Sequence, residues 1–316
     1  MGAWDSYWTW KASSSRDMIE LQDRLESPVN IRPLTQREFD QIRRLAYEHF
    51  GLDLRDGKQE LVSARLGKKI RRWGFRTFQE YYDHVLGDAS GEALVEMIDS
   101  LTTNHTMFLR EPAHFDFLRQ TAATELRDRS PIEIWSAACS TGEEPYSIAI
   151  SLLEELGAHA AGRIRITASD ISTRALETAR KAVYAAERLE AFPSGWLPRY
   201  FLRGEAGWKG WFRAKPALRR LVEFRRINLM EPLTNLPKFA VIFCRNVMIY
   251  FDKPTQENLL GRLTTCLEPG GYLLTGHSES LLGGRHPLEY VRPAVYRKPL
   301  HGTSRLGRAR GGKCAQ

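Results

Sequence analysis

Phe243-Cys244-Arg245-Asn246-Val247-Met248-Ile249-Tyr250-Phe251-Asp252 is the stretch on which the reading of the fold turns. The apolar run from Val241 to Cys244 reads as a strand buried on both faces, as in a parallel sheet. It stops abruptly at two polar side chains, Arg245 and Asn246. Asp252-Lys253-Pro254 then has the form of a helix start, with aspartate as cap and proline just inside. In an open α/β sheet, ligands bind beyond the carboxyl ends of the central strands. Arg245, Asn246 and, close behind, Tyr250 stand where chemistry is expected.

Outward from this stretch, strands and helices alternate. Ile132 to Ala138 reads as a strand, Pro145 to Leu156 as a helix, Ile164 to Ala168 as a strand and Thr173 to Tyr184 as a helix. Val222 to Ile227 is a third strand, and a helix from Lys253 to Leu267 follows the quoted stretch. Pro269-Gly270-Gly271 is expected to end it, before a strand from Tyr272 to Thr275 and an edge strand from Tyr290 to Tyr296. The alternation implies an α/β fold with a doubly wound, mainly parallel sheet. Between residues 185 and 220 the rhythm lapses, and Gly195, Gly204, Gly207 and Gly210 with Trp196, Trp208 and Trp211 suggest a small β insert.

Ahead of the sheet the signals are helical. Thr35-Gln36-Arg37-Glu38 has capping-box spacing, and Phe39, Ile42, Leu45 and Ala46 follow on one helix face. Gln59 to Trp73 repeats the pattern with Val62, Leu66, Ile70 and Trp73 as its apolar face. A third helix carries Phe78, Tyr81, Tyr82, Val85 and Leu86, and a fourth runs from Ala93 to Leu101. The expected division is a flexible arm over residues 1–30, a small all-helical domain over 31–103, a catalytic domain over 104–300 and a basic disordered tail over 301–316.

The chain has 316 residues, 42% of them apolar and 27% charged, as in soluble globular proteins. No apolar run has the length to cross a bilayer, and the N-terminal residues lack the form of a signal peptide. Four cysteines without metal-type spacing, Cys139, Cys244, Cys266 and Cys314, suit the reduced cytoplasm. No metal site is expected, and nothing demands more than a monomer. A net charge of +8 points to an acidic partner: nucleic acid, anionic lipid or an acidic protein surface.

The first strand ends in Ser136-Ala137-Ala138-Cys139-Ser140-Thr141-Gly142-Glu143-Glu144-Pro145. A dinucleotide site would want a Gly-x-Gly-x-x-Gly loop here. This loop has one glycine and two carboxylates, which would repel a phosphate. S-adenosylmethionine, with a sulfonium, an ammonium and no phosphate, fits better, although Glu143 and Glu144 also suit a helix N-terminus by themselves. Asp170 ends the second strand, 28 positions after Gly142, where an acid accepts hydrogen bonds from ribose hydroxyls or caps a helix. Asn228 ends the third strand and is placed to take an adenine edge while Leu229 covers its face, unless it is a turn residue. Asn104, Thr106 and Arg110, in the polar stretch joining the two domains, either close over the cofactor or form a solvated linker.

Taken together, these residues resemble the chemotaxis receptor methyltransferase family, which uses S-adenosyl-L-methionine to methylate glutamate side chains. Thr102 to Glu111, Trp135 to Ser147, Ala168 to Ile171, Ile242 to Asp252 and Gly276-His277-Ser278-Glu279 carry the resemblance, in one order from about Thr35 to Arg297. It implies a sheet of the S-adenosylmethionine-dependent methyltransferase type and S-adenosyl-L-homocysteine as product. It also implies cofactor contacts from Asn104, Thr106, Arg110, Glu144, Asp170, Asn228, Leu229, Arg245 and Asn246, with Arg110 and Tyr250 facing the point where methyl and substrate meet. The helical domain is then expected to dock on the acidic helical bundle of a receptor in the cytoplasm, and the insert to contact a tail at the receptor's C-terminus. Three departures stand out: one residue more than expected between Gly204 and Gly207, Leu109 in place of Phe, and Ala240 in place of an acid.

Methyl transfer to a carboxylate that is already ionised at neutral pH asks for no general base. His277 is accordingly expected to make structural hydrogen bonds. Arg65, Lys68, Lys69 and Arg72 recur opposite the apolar face of the second helix, either as the receptor dock or as a solvated face. Two other functions fit parts of the chain: a nucleic-acid methyltransferase, which lacks its Asn-Pro-Pro-Tyr motif here, and a cofactor-sensing module without activity.

Overall fold

The computed structural model describes residues 9–10, 31–102, 105–281, 284 and 286–300. Asn104, the arm apart from residues 9–10, and the basic tail with Cys314 lie outside the described residues. Among the described residues no helix is long and apolar enough to cross a membrane.

Helices α1 (Gln36–Phe50), α2 (Gln59–Arg72), α3 (Phe78–Gly87) and α4 (Glu92–Leu101) form the N-terminal domain. The capping box at Thr35 and Glu38 is present in both directions, and Glu38 also binds Arg32 and the Gln79 amide. Phe39, Ile42, Val62, Leu66, Ile70, Phe78 and Tyr81 are all buried in one core. Trp73, expected on the apolar face of α2, is 42% exposed because the helix ends at Arg72.

The catalytic domain opens with a helix the sequence reading missed, α5 (Pro112–Thr121), followed by β2 (Ile132–Ala137), α6 (Glu143–Leu156), β3 (Ile164–Asp170) and α7 (Thr173–Lys181). The insert comprises β4 (Val183–Ala185), α8 (Trp196–Tyr200), β5 (Phe201–Gly204), β6 (Trp211–Ala214) and α9 (Pro216–Arg219). β7 (Val222–Arg226), β8 (Phe239–Cys244), α10 (Lys253–Cys266), β9 (Leu267–Leu274), β10 (Glu289–Arg292) and β11 (Val295–Arg297) complete it. The main sheet has the order β10-β11-β9-β8-β2-β3-β7, with the five strands from β9 to β7 parallel. The chain winds outward from β2 through β3 to β7 and then returns to β8 on the other side of β2. That reversal opens a crevice at the carboxyl ends of β2 and β8.

Three expectations at element ends need correction. Tyr184 lies in β4 rather than in the preceding helix, because Ala182 adopts a left-handed conformation (φ 54°) that stops α7. Pro269-Gly270-Gly271 forms a bulge within β9 rather than a turn before it, as the pairing jumps from Phe239–Leu267 to Val241–Tyr272. The single edge strand is an antiparallel pair, β10 and β11. The arm also gives one described strand, β1 (Thr9–Trp10), which pairs in parallel with β5 and covers that edge of the insert. Ala240, the departure from the expected acid, is 3% exposed and packs in the apolar core.

The two domains meet along the stretch that opened the sequence analysis. Leu52 bridges Phe251, the Asp53 amide donates to Tyr250 O at 2.8 Å, and Tyr47 Oη donates to Asp252 at 2.9 Å. Gly51 makes this approach possible. Its φ is +67°, and a Cβ there would lie 2.6 Å from Met230 Sδ and 2.9 Å from Thr255 Cγ2. Gly51→Ala is expected to lower stability by about 1–2 kcal/mol from left-handed strain alone, with the steric clash adding to it. A melting temperature equal to that of the parent would show that the domains do not depend on this contact.

Candidate active site

The backbone register explains why residues distant in sequence converge. Ala137 pairs with Ser169 and with Cys244, and Asp170 pairs with Arg226, so four strands end at one level. A cleft there is lined by Ala138, Ser140, Glu144, Asp170, Asn228, Leu229, Arg245 and Asn246. Thr106, Arg110 and Tyr250 line it as well. Every expected cofactor residue among those described therefore reaches the same cavity. The helical domain supplies a wall that was not foreseen, made of Phe50, Leu52, Ile98, Asp99 and Thr102.

The β2–α6 loop is shaped by its one glycine. Gly142 has φ +95°, and a Cβ would lie 2.8 Å from that of Ala179 and 2.9 Å from Tyr184 Oη. Beyond it the two carboxylates are each matched by an arginine. Glu143, fully buried, receives Thr141 Oγ1 at 2.7 Å and Arg188 from the insert, which also donates to Thr106 O at 3.0 Å. Glu144 receives Ser136 Oγ at 2.7 Å and Arg245 Nη1 at 3.0 Å. Burial pushes both acids above their ordinary range, and these partners pull them back. The charge-repulsion argument against phosphate needs correction, because the two negative charges are largely neutralised within the protein.

Arg245 does something the sequence did not suggest. Its side chain is 1% exposed and lies between Glu144 and Glu111, with Glu111 Oε2 accepting Nη2 at 3.0 Å. Nη2 also donates to Arg110 O. Leu109 (φ 52°) and Glu111 (φ 58°) are both left-handed, so Arg110 sits on a sharp backbone corner that Arg245 holds in place. Burial alone would raise Glu111, but a hydrogen bond with His114 and the Arg245 charge hold it well below the usual carboxylate range. His277 donates its backbone N–H to Glu111 Oε1 at 3.3 Å, a bond that does not involve its ring, and the ring lies edge-on to that of His114. Glu111, His114 and His277 bring donor atoms within 4.8 Å of one another. Glu111 Oε2 also accepts from Arg245, and Oε1 from the His277 amide.

Asn246 takes φ 58°, and its amide is bound by Glu279 Oε2 at 2.8 Å, the same carboxylate that accepts from Gly276 N. The Gly276-His277-Ser278-Glu279 stretch thus braces the β8 turn. Asn228 lines the cleft, and its side chain also takes the turn role left open for it: Oδ1 accepts Met230 N at 3.0 Å, while Nδ2 donates to His49 O at 2.9 Å. Its side-chain amide ties the domains together at the cleft wall. Asp170 is the carboxylate best placed for a ligand. Ser140 N and Ser172 N bind its two oxygens at 2.7 and 2.9 Å, and burial pushes it up to about 6 despite them, with the Asp99 charge adding.

The basic face of α2 divides in two. Lys68 and Arg72 are exposed, whereas Arg65 donates to Leu101 O and Lys69 pairs with Glu96 at 2.7 Å.

Comparison with known proteins agrees with this geometry. Residues 104–296 match the family model for the CheR methyltransferase, SAM binding domain, and residues 37–102 match its all-alpha domain. The chain is 44% identical over 263 residues to chemotaxis protein methyltransferase 2 of Pseudomonas aeruginosa, covering 83% of this chain and 93% of that one. It is 42% identical over 248 residues to the chemotaxis protein methyltransferase of Salmonella typhimurium, covering 78% and 85%. To the Borreliella burgdorferi protein of that name it is 38% identical over 285 residues, covering 88% and 98%.

The donor set fits S-adenosylmethionine. Ile171, Ile227, Leu229 and Val247 offer apolar surface for a base, and the Asp170 carboxylate suits the hydroxyls of a ribose. Hydroxyl donors favour the ionised form of Asp170. Cofactor affinity should be flat above pH 6 and fall by about tenfold per unit as Asp170 is protonated below it. Calorimetry with S-adenosylhomocysteine between pH 4.5 and 8 checks this, and Asp170→Asn should abolish the slope. With both domains matched in order and the cleft carrying the chemistry of the cofactor, the chain belongs to the CheR family of S-adenosylmethionine-dependent chemotaxis methyltransferases.

Proposed function

We propose that the protein methylates glutamate side chains on the cytoplasmic helical bundle of a chemotaxis receptor, giving glutamate methyl esters. The observation that carries this reading is the convergence of Arg110 and Tyr250 on the cofactor cleft. When bound, the cofactor supplies an electrophilic methyl group on a sulfonium. An ionised glutamate is a competent nucleophile, so the protein's task is to place it and exclude water. Arg110, on its braced corner, pairs with the substrate carboxylate, and Tyr250 donates its phenol to the second oxygen. Positioning of this kind supplies roughly 7–11 kcal/mol. Burial pushes the thiols of Cys139 and Cys244 well up, which argues against either as a nucleophile.

The helical domain is the receptor dock in this reading. Lys68 and Arg72, the exposed half of the α2 stripe, meet the acidic bundle, while Arg65 and Lys69 hold α2 to α4. A receptor tail pairing with β5 of the insert would have to displace β1, since β5 already pairs with Thr9–Trp10.

Three measurements test the proposal. Incubation with methyl-labelled cofactor and receptor membranes should give base-labile label released as methanol; label on nucleic acid, or none, would overturn it. Tyr250→Phe should cut turnover by about tenfold or more and leave S-adenosylhomocysteine affinity nearly unchanged. An equal loss in both would remove Tyr250 from the substrate side. Lys68→Glu with Arg72→Glu should lower kcat/KM for the receptor by about tenfold at low salt and flatten its salt dependence. Unaltered rates would move the dock elsewhere.

A further inference from the structure

All the cofactor contacts that the strand ends and the resemblance call for come from the catalytic domain or the linker before it. The helical domain nevertheless places a carboxylate in the same cavity. Asp99 lies in the last turn of α4 and is half-buried at the cleft wall. A negative charge there opposes the helix dipole, so the helix gains nothing from it. One of its partners is Ser172, the cap of α7. Ser172 Oγ accepts Ala175 N at 3.1 Å, which aims its hydroxyl proton at Asp99. The backbone N–H of the same serine binds Asp170 Oδ1 at 2.9 Å. One residue therefore holds two carboxylates side by side, one from each domain, at the end of β3. They repel each other, and Asp99 is among the groups that raise Asp170. Such a pair is relieved by a ligand that brings hydroxyl donors between them.

We propose that Asp99 is a second acceptor for the ribose hydroxyls of the cofactor, so that the sugar is held jointly by the helical domain and the sheet. Cofactor binding then ties the two domains at the point where the linker carrying Thr106 and Arg110 leaves α4. The inference rests on the cofactor assignment and not on the identity of the methylated substrate.

The test is a cycle that pairs removal of the carboxylate with removal of a ribose hydroxyl. Calorimetry is run on the full chain, parent and Asp99→Ala, with S-adenosylhomocysteine and with its 2′-deoxy and 3′-deoxy forms. If Asp99 binds a hydroxyl, Asp99→Ala weakens the parent ligand by about tenfold and one of the deoxy ligands much less. Ser172→Ala, which cuts the tie between the domains but not the acceptor, keeps the difference between parent and deoxy ligands. Equal losses on all three ligands, or no loss, would overturn the proposal and reduce Asp99 to an interdomain tie. Binding of S-adenosylhomocysteine by the parent checks the cofactor assignment separately. Should Asp99→Ala fail to fold, Asp99→Leu, which is of similar size and accepts no hydrogen bond, provides the same comparison.

Discussion

The active site depends on one buried cation. Arg245 leaves the end of β8 and is enclosed by Glu111 and Glu144, with Arg110 O as a further acceptor. These groups come from a strand end, a helix start and the linker between the domains. A guanidinium suits the position because its planar fork serves several acceptors at once and stays charged when buried. Desolvating such a group costs several kcal/mol, and only near-complete pairing offsets it. The arrangement therefore fixes a geometry more than it adds stability. With Arg245 in place, the left-handed corner around Arg110 has one position, and the first turn of α6 lies against the cleft. Arg245 lines the cleft as a ligand contact would, and it also braces the residues around it.

The second constraint is the seam between the domains. The stretch from Arg245 to Asp252 begins as the floor of the cleft and ends as an interface, where Tyr250 O accepts the Asp53 amide and Phe251 bridges Leu52. Asn228 extends the seam by holding His49 O. The helical domain consequently walls the cofactor cleft while keeping a core of its own. Glu279 supports the seam from the opposite side, binding the amides of Asn246 and Ile249.

Much of this was legible in the sequence. Strand ends marked by Asp170, Asn228 and Arg245-Asn246 are readable because a buried parallel strand is continuously apolar, and the polar residue that ends it stands out. The capping box at Thr35 and the proline after Asp252 work through purely local bonds, and both are present as expected. The bulge in β9 was missed because Pro269-Gly270-Gly271 satisfies a turn and a bulge equally well, and only the pairing with β8 chooses. Pairing likewise revealed β10 with β11, and β1 on β5. Half of the basic stripe on α2 turned out to be occupied, since Arg65 and Lys69 find partners on α4, which is remote in sequence.

The sequence by itself determined the order of strands and helices, the level at which chemistry sits and the residue types that meet there. Those follow from local propensity, hydrophobic period and the polar stops of buried strands, all of which act within a few residues. Tertiary structure alone decided which side chains remain available to a ligand. Glu143, Arg245 and Asn228 are engaged by partners 45, 134 and 179 residues away, and Asp99 enters the cleft from another domain. A charge or an amide has the same appearance in a sequence whether it is paired or open. Its partner is fixed only when the sheet register and the domain seam bring distant segments within hydrogen-bond reach.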